Sequence, residues 1–269
     1  MTTTHLNHWQ GQSGQWQRLT SPWRPHQDDI DLFARALSGH TGPCLLFGVT
    51  PELVPLAKPL IAVDNNTGMI HKLWQDSPGV GHVVLADWLH LPFAPHTFDR
   101  AMGDGCLTLF QYPQQYATLF DQLLRALRPH ARVALRLFIR PDTAETPEAA
   151  CEAAFTRKIG NFHAFKWRLA MAMVGSVGPA NQTNIKVASI RDTFNQLLPD
   201  RAALAHASGW PLADINTIDV YRDAIASYSF PTLSQMRECI PASLKINDVL
   251  YGRYELAACC PIIVMEYCP

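Results

Sequence analysis

Between residues 41 and 140, short apolar runs alternate with stretches that have helical spacing. The runs are CLLFGV, LIAVD, HVVLAD, FDRAMG and ARVALRLFI. Each run is nearly continuous in apolar residues, which is typical of a strand covered on both faces. Strands that alternate with helices favour parallel pairing through crossover connections. The segment is therefore predicted to form five parallel strands of an α/β sheet.

Helices are predicted on both sides of these runs. Before the first run, DDIDLFARALSGH places apolar residues on one helical face and ends at Gly39. Between the fourth and fifth runs, apolar residues recur every three or four positions until Pro129 ends the pattern. The residues of this second, crossover helix are Tyr116, Leu119, Phe120, Leu123, Leu124 and Leu127.

The remaining chain divides into an insertion and a terminal segment. In the insertion, GNFHAFKWRLAMAM and IRDTFNQLLPD are predicted to be helical, and the rest has no readable pattern. After it, SFPTLSQMRECI predicts a helix, and SLKINDVLY and PIIVMEY predict two strands whose connection is too short for a crossover. We expect one domain with an arm (1–40), a core (41–140), an insertion or lid (141–228) and a terminal helix with antiparallel strands (229–269).

Composition narrows the possible partners. The chain has 269 residues, of which 22 are basic and 23 acidic, so the formal net charge of −1 supports neither a nucleic acid nor a membrane surface as partner. We find no amino-terminal leader pattern and no apolar run of membrane-spanning length. The seven cysteines contain no C-x-x-C pair, which favours reduced thiols in the cytoplasm. His5 and His8 lack a third ligand nearby, so no metal site is predicted.

The carboxyl ends of the predicted parallel strands are where a ligand is expected to bind. These ends carry Gly48 to Thr50, Asp64, Asp87 and Gly103 to Gly105. A dinucleotide turn needs several glycines so that backbone N–H groups approach the phosphates, but the first turn has one. The pattern therefore favours a nucleoside ligand without phosphates.

The residues after the first turn strengthen this preference. Thr50 is interpreted as a helix cap, with Pro51 at the first helical position and Glu52 in the first turn. A carboxylate at that position would repel a phosphate. A nicotinamide-dependent oxidoreductase is consequently disfavoured, since G-x-G-x-x-G is also missing.

These strand ends resemble the cofactor motifs of the class I S-adenosylmethionine-dependent methyltransferases. The likeness runs from about residue 41 to 140 and continues in the terminal helix and strand pair. It implies a Rossmann-like, doubly wound, mostly parallel seven-stranded sheet with an antiparallel last strand, a helical amino-terminal arm and a helical insertion after the fifth strand. It also implies S-adenosylmethionine as the cofactor and methyl transfer as the reaction.

The resemblance also implies roles for residues at each strand end. The glycine loop passes the methionine part of the cofactor, Asp64 holds the ribose hydroxyls, and Asp87 lies by the adenine. One departure from the family pattern is that G-V-T stands in place of G-x-G. Asp64 and Asp87 also have an alternative role, as helix caps. The implied cofactor residues are Phe47, Gly48, Val49, Thr50, Asp64, Asn65, Met69, Ala86, Asp87, Trp88 and Gly103.

The acceptor side is less defined, because in-line methyl transfer depends on alignment and needs no fixed triad. GDGCL lacks the Asn/Asp-Pro-Pro-aromatic motif of methyltransferases that act on adenine nitrogen or glutamine amides. Asp104 is a candidate for accepting a proton or orienting the acceptor, or else is bonded to loop amides. His163 is a candidate general base, or else belongs to a packing helix.

Two further features bear on the crevice. The arm carries four residues that either close over the cofactor or anchor the arm on the core: Trp9, Trp16, Trp23 and Arg24. On the fifth predicted strand, Arg136 and Arg140 lie in phase, so one of them can reach an acid. Our interpretation is a methyltransferase with a small-molecule acceptor. The alternative is a binding or regulatory protein that keeps the sheet and catalyses nothing.

Overall fold

The computed structural model describes residues 14, 16–74, 81–177 and 182–269. His5, His8 and Trp9 of the sequence analysis therefore lie outside the described residues. The strands are β1 Cys44–Phe47, β2 Leu60–Asp64, β3 His82–Leu85, β4 Phe98–Asp104, β5 Leu127–Arg136, β6 Asn184–Lys186, β7 Ser227–Ser229, β8 Leu244–Leu250 and β9 Ile262–Tyr267.

Seven of these strands form the main sheet, in the order β3-β2-β1-β4-β5-β9-β8. Strands β1 to β5 pair in parallel, and β9 is antiparallel to both β5 and β8. The predicted fold class is confirmed, including the antiparallel strand pair at the carboxyl terminus.

The sheet is covered on both faces, as its apolar strands require. Alternate residues of β1 enter two different cores: Cys44 and Leu46 face one, and Leu45 and Phe47 face the other. This follows from the strand's two-residue period. Burying both faces explains why the strands read as continuous apolar runs.

Helices flank the sheet and build the insertion. Helix α3 is the predicted crossover helix, and α5 and α6 are the two helices predicted in the insertion. The helices are α1 Gln27–Ala36, α2 Thr67–Leu73, α3 Gln114–Ala126, α4 Pro147–Phe155, α5 Phe162–Val177, α6 Val187–Leu197, α7 Arg201–Ser208, α8 Leu212–Ile215 and α9 Leu233–Cys239.

The prediction of a helix after β1 is wrong. Turns follow Thr50, and then a single short 3-10 helix, Val54–Leu56, with a proline in its first turn. Pro55 and Pro59 leave little room for an α-helix before β2 begins. As a result, no α-helix amino terminus points at the ligand crevice from residues 51–59, all of which the structure describes.

The insertion returns to the carboxyl ends of the strands through its small ribbon. Strands β6 and β7 pair antiparallel. Ser229 of β7 donates a hydrogen bond to the carbonyl of Phe110, which lies just after β4. The insertion therefore covers the end of the sheet where a ligand is expected.

Candidate cofactor cleft

The sheet order reverses between β1 and β4, because β2 and β3 lie on one side and β5 on the other. In open α/β sheets a crevice forms at this point, beyond the carboxyl ends of the strands. Phe47 at the end of β1 is in register with Val63 of β2 and with Gly103 of β4. The predicted strand-end residues are thus brought to one edge of the sheet.

Gly48 lies at the centre of this edge. Its φ is +90°, a region that favours glycine, and its N–H donates to the carbonyl of Val63 at 2.8 Å. A Cβ built on Gly48 would lie 3.7 Å from Cζ2 of Trp88 and 3.9 Å from Oδ2 of Asp64. The missing side chain therefore leaves space between the carboxylate and the indole.

Gly48→Ala is expected to weaken S-adenosylhomocysteine binding about tenfold, because the added methyl projects between Asp64 and Trp88. The positive φ should also cost about 1 kcal/mol of unfolding free energy. Gly39→Ala is the matched control, since Gly39 has a φ of +80° and a Cβ there would meet nothing within 4 Å. Isothermal titration and denaturant melts measure both effects, and equal affinities in the two variants would contradict the placement of the cleft.

Asp64 is a buried carboxylate at the end of β2. Only 7% of the residue is exposed, and Oδ1 accepts the N–H of Asn66 at 2.8 Å. Burial raises the pKa of Asp64 to about 6, although hydrogen bonds from the backbone of Asn66 and Asn65 oppose the shift. A desolvated carboxylate that faces Gly48 is suited to accept ligand hydroxyl groups.

Asp87 is held mainly within its own turn. Its Oδ1 accepts the N–H of Leu89 at 2.9 Å, and its Oδ2 lies 3.2 Å from Nδ1 of His90. Asp87 thus closes a turn, and no helix begins there for it to cap, in contrast to the alternative left open by the sequence. The neighbouring Ala86 N–H donates to the carbonyl of Asp64 at 3.1 Å, so this loop still borders the cleft.

The indole of Trp88 lies across the cleft. Its Nε1 donates to the carbonyl of Val63 at 2.6 Å, and its ring contacts Phe47 and Phe110 edge-on at centroid distances of 5.9 Å. Trp88 therefore forms one wall of the space above Gly48.

The other predicted cofactor residues differ in their placement. Phe47 and Met69 pack in the two cores, Val49 and Thr50 are buried in the loop after β1, and Asn65 is exposed. A Cβ on Gly103 would lie 2.8 Å from Sγ of Cys106, so packing alone requires that glycine.

Asn66 is a residue of the cleft edge that sequence reasoning missed. It is buried, and its Oδ1 accepts the N–H of Met69 as the cap of α2. The signal that could have found it is the asparagine before a helical pattern.

Asp104 is engaged in a buried ion-pair network. Its Oδ1 lies 2.5 Å from Nε of Arg136, and Nη1 of Arg136 lies 3.1 Å from Oδ2 of Asp29. The hydroxyl of Tyr254 lies 3.1 Å from Nη1 of the same guanidinium. The partner of Asp104 is thus Arg136 and not the loop amides considered above.

The charge state of this network favours a structural role. Burial by itself lowers the pKa of Arg136, but Asp104, Tyr254 and Asp29 raise that pKa well above its usual value. Arg136 therefore stays charged and holds both carboxylates. Of the two arginines in phase on this segment, Arg136 is the one that reaches an acid.

His163 is buried in α5 and bonded to the arm. Its Nε2 lies 3.1 Å from the carbonyl of Arg18. Burial and the nearby Lys166 lower the pKa of His163 to about 3. A group with so low a pKa is a weak base at neutral pH, so this geometry supports the packing-helix interpretation.

The arm is anchored directly on the loop after β1. Arg24 forms a two-nitrogen ion pair with Oε1 of Glu52 and donates to the carbonyl of Trp16 at 3.2 Å. Oε2 of Glu52 is buried and has no hydrogen-bond partner within the described part of the chain. The arm therefore places the Arg24 cation beside the Glu52 carboxylate of the loop after β1.

Comparison with known families decides what this cleft belongs to. A family model described as a methyltransferase domain matches residues 45–135, from β1 to the end of β5. The resemblance to the class I S-adenosylmethionine-dependent methyltransferase family is confirmed over these residues, which make up about a third of the chain. S-adenosylmethionine is the cofactor of that family. No curated protein matches the sequence of this chain.

Solved structures share the fold of this chain. A protein described as a Zn-dependent alcohol dehydrogenase from Rhodobacter sphaeroides superposes with a TM-score of 0.63 at 10% identity, covering 100% of this chain and 98% of that one. The complex between the Haloferax volcanii Trm112 methyltransferase activator and a methyltransferase gives 0.55 at 10% identity, with coverages of 98% and 96%.

A third structure carries ligands. It is 1,6-didemethyltoxoflavin-N1-methyltransferase from Burkholderia thailandensis with bound 1,6-didemethyltoxoflavin and S-adenosylhomocysteine. Its TM-score is 0.52 at 12% identity, and the match covers 100% of this chain and 92% of that one. At such identities these likenesses establish the fold alone.

Membrane-spanning helices and metal clusters are both absent from the described residues. No helix there combines the length and apolarity that a bilayer crossing demands. No cluster of three or more His, Cys, Asp or Glu side chains there is arranged to hold a metal ion.

Proposed function

We propose that this methyltransferase binds S-adenosylmethionine in the cleft at the ends of β1, β2 and β4 and transfers its methyl group to a small molecule. The observation that carries the proposal is the buried Asp64 carboxylate facing Gly48 at the point where the sheet order reverses. When bound, the cofactor supplies a methyl group on a sulfonium, which is set up for in-line displacement.

The residues around the cleft suit the parts of this cofactor. Asp64 accepts the ribose hydroxyls, and Ala86, Asp87 and Trp88 border the base. Arg24 and Glu52 carry opposite charges that complement the carboxylate and ammonium of the methionine end. The protein's own contribution to the reaction is to hold both partners close and aligned, which supplies several kcal/mol.

A small acceptor is supported by what covers the cleft. The arm and the insertion both contact the loops after the strands, through Arg24 with Glu52 and Ser229 with Phe110. Such a cover leaves little access for a macromolecule. All seven cysteines are free thiols, which supports the cytoplasm as the compartment.

We expect S-adenosylhomocysteine to bind and NAD to give no measurable heat in isothermal titration. A pyrophosphate needs a helix amino terminus after β1, and this chain has turns there together with the Glu52 carboxylate. Tight binding of NAD would overturn the cofactor assignment and favour an oxidoreductase.

Catalysis is tested separately from binding. Incubation with methyl-labelled S-adenosylmethionine and fractions of small metabolites should yield a labelled product, and the Asp64→Asn variant should yield much less at a cofactor concentration that does not saturate it. Cofactor binding without any labelled product would favour the non-catalytic alternative.

A further inference from the structure

Lys166 is a buried cation that the cofactor cleft does not use. It lies in α5 with 1% of the residue exposed. Its Nζ can donate three hydrogen bonds, yet it has no hydrogen-bond partner among residues 16–74, 81–177 and 182–269. Buried polar groups in folded proteins are normally paired, so this ammonium calls for an explanation.

Aromatic rings surround the ammonium. Its Nζ lies 4.8 Å from the ring centroid of Trp23 and 4.9 Å from that of Tyr221. Trp167 packs against Trp23 at 4.7 Å and against Tyr228 at 5.3 Å. We call Lys166 and these four rings the aromatic cage. Cation–π contacts recover part of the cost of burying the ammonium, but they leave its hydrogen-bond donors unused.

The aromatic cage adjoins the acceptor side of the cleft. The ring of Phe138, just after β5, lies 4.8 Å from Trp167 and approaches Gly105 at the end of β4 so closely that a Cβ there would sit 2.5 Å from Cε2. On the other side, Trp23 precedes Arg24, which holds the loop after β1 through Glu52. The aromatic cage is therefore linked to the end of β4 through Phe138 and to the loop after β1 through Arg24.

Within the part of the chain that the structure describes, no opposing charge neutralises Lys166. Burial lowers the pKa of Lys166 to about 7, and burial is the only cause of the shift. An anion placed beside Nζ would satisfy the donors and keep the ammonium charged. A ligand that reaches Nζ would also contact the edges of the Trp23 and Tyr221 rings, which favours an aromatic ligand.

We propose that the aromatic cage recognises the methyl acceptor and that the acceptor is a planar aromatic anion whose carboxylate or similar oxygens accept hydrogen bonds from Lys166. This rests on the proposed function, since it names the substrate class of the same site. Lys166 is then a specificity-determining residue that orients the acceptor beside the cofactor.

The test compares a charged probe with its neutral match. We expect 4-hydroxybenzoate to bind the full-length protein at least tenfold more tightly than 4-hydroxybenzamide, measured by isothermal titration with and without saturating S-adenosylhomocysteine. Lys166→Met should abolish this preference, whereas Lys166→Arg should retain most of it. S-adenosylhomocysteine affinity should be the same in all three proteins.

The outcomes separate this proposal from the proposed function. Equal binding of the two probes by the wild-type protein, or binding of neither at millimolar concentration, overturns the role of the aromatic cage without involving any variant. Persistence of the preference in a folded Lys166→Met protein also overturns it. Loss of S-adenosylhomocysteine binding by the wild-type protein instead counts against the proposed function, because the probe preference can still be measured without cofactor.

Discussion

Asp64→Asn should lower the affinity for S-adenosylhomocysteine about 100-fold. A carboxylate that accepts two hydroxyl hydrogen bonds in a buried site contributes about 3 kcal/mol, and 1.4 kcal/mol corresponds to a factor of ten. The amide keeps one oxygen to accept the N–H of Asn66, so the local turn survives. Isothermal titration measures the loss.

Stability and pH dependence distinguish lost binding from lost folding in this variant. Because the pKa of Asp64 rises from 3.8 to about 6, folding disfavours its ionised form. Relative to its contribution below pH 3.8, where Asp64 is protonated in both states, the contribution of Asp64 to the free energy of unfolding falls as the pH rises. The loss is complete once the pH has passed about 6, and it amounts to about 3 kcal/mol. At pH 7 Asp64→Asn should therefore be at least as stable as wild type.

Wild-type affinity should fall as the pH drops below about 6, where Asp64 becomes protonated, and the variant should lack this dependence. The exposed Asp31→Asn is the control and should leave affinity unchanged. An Asp64→Asn protein that binds as tightly as wild type would disprove the ribose assignment.

Arg136→Met should destabilise the protein by about 3–5 kcal/mol, because it leaves the buried carboxylates of Asp104 and Asp29 without their shared cation. The methionine fills similar volume, so the cost is electrostatic and not a cavity. Chemical denaturation measures the free energy of unfolding.

Arg128→Met is the matched control on the same strand. Arg128 pairs with Asp99 but its side chain is 46% exposed, so the change should cost at most about 1 kcal/mol. Adding Asp104→Asn to Arg136→Met should recover part of the loss, since it removes one uncompensated charge. Equal costs for the two arginine variants would contradict the buried network.

The same experiments bear on the catalytic candidates. If Asp104 serves the network, Asp104→Asn changes unfolding free energy and leaves S-adenosylhomocysteine affinity close to wild type. His163, bonded to the arm and with a pKa of about 3, also fits a role in holding α5 against residue 18. Neither side chain is then needed as a base, in agreement with a reaction that depends on alignment.

Most of the fold could be predicted from local sequence patterns. The apolar runs predicted the strands of the sheet, and apolar residues at helical spacing predicted α3. Both patterns are local, because burial of one or both faces fixes the apolar positions within a few residues. The strand ends followed from the same runs, which is why Asp64 and Gly48 could be named. The prediction of a helix after β1 was wrong, because it relied on the cap at Thr50 and on Pro51, whereas Pro55 and Pro59 prevent an α-helix there.

Only the tertiary structure shows which distant parts of the chain are in contact. Asp29 and Arg136 lie 107 positions apart, and the ring of Trp23 meets Lys166 across the arm and the insertion. No periodicity marks such pairs, because each partner obeys the rules of its own helix or strand. The sequence alone determined where the strands end and hence where a cofactor can lie. The folded chain decided which charges are paired there, and it buries the Lys166 ammonium without a hydrogen-bond partner among the described residues.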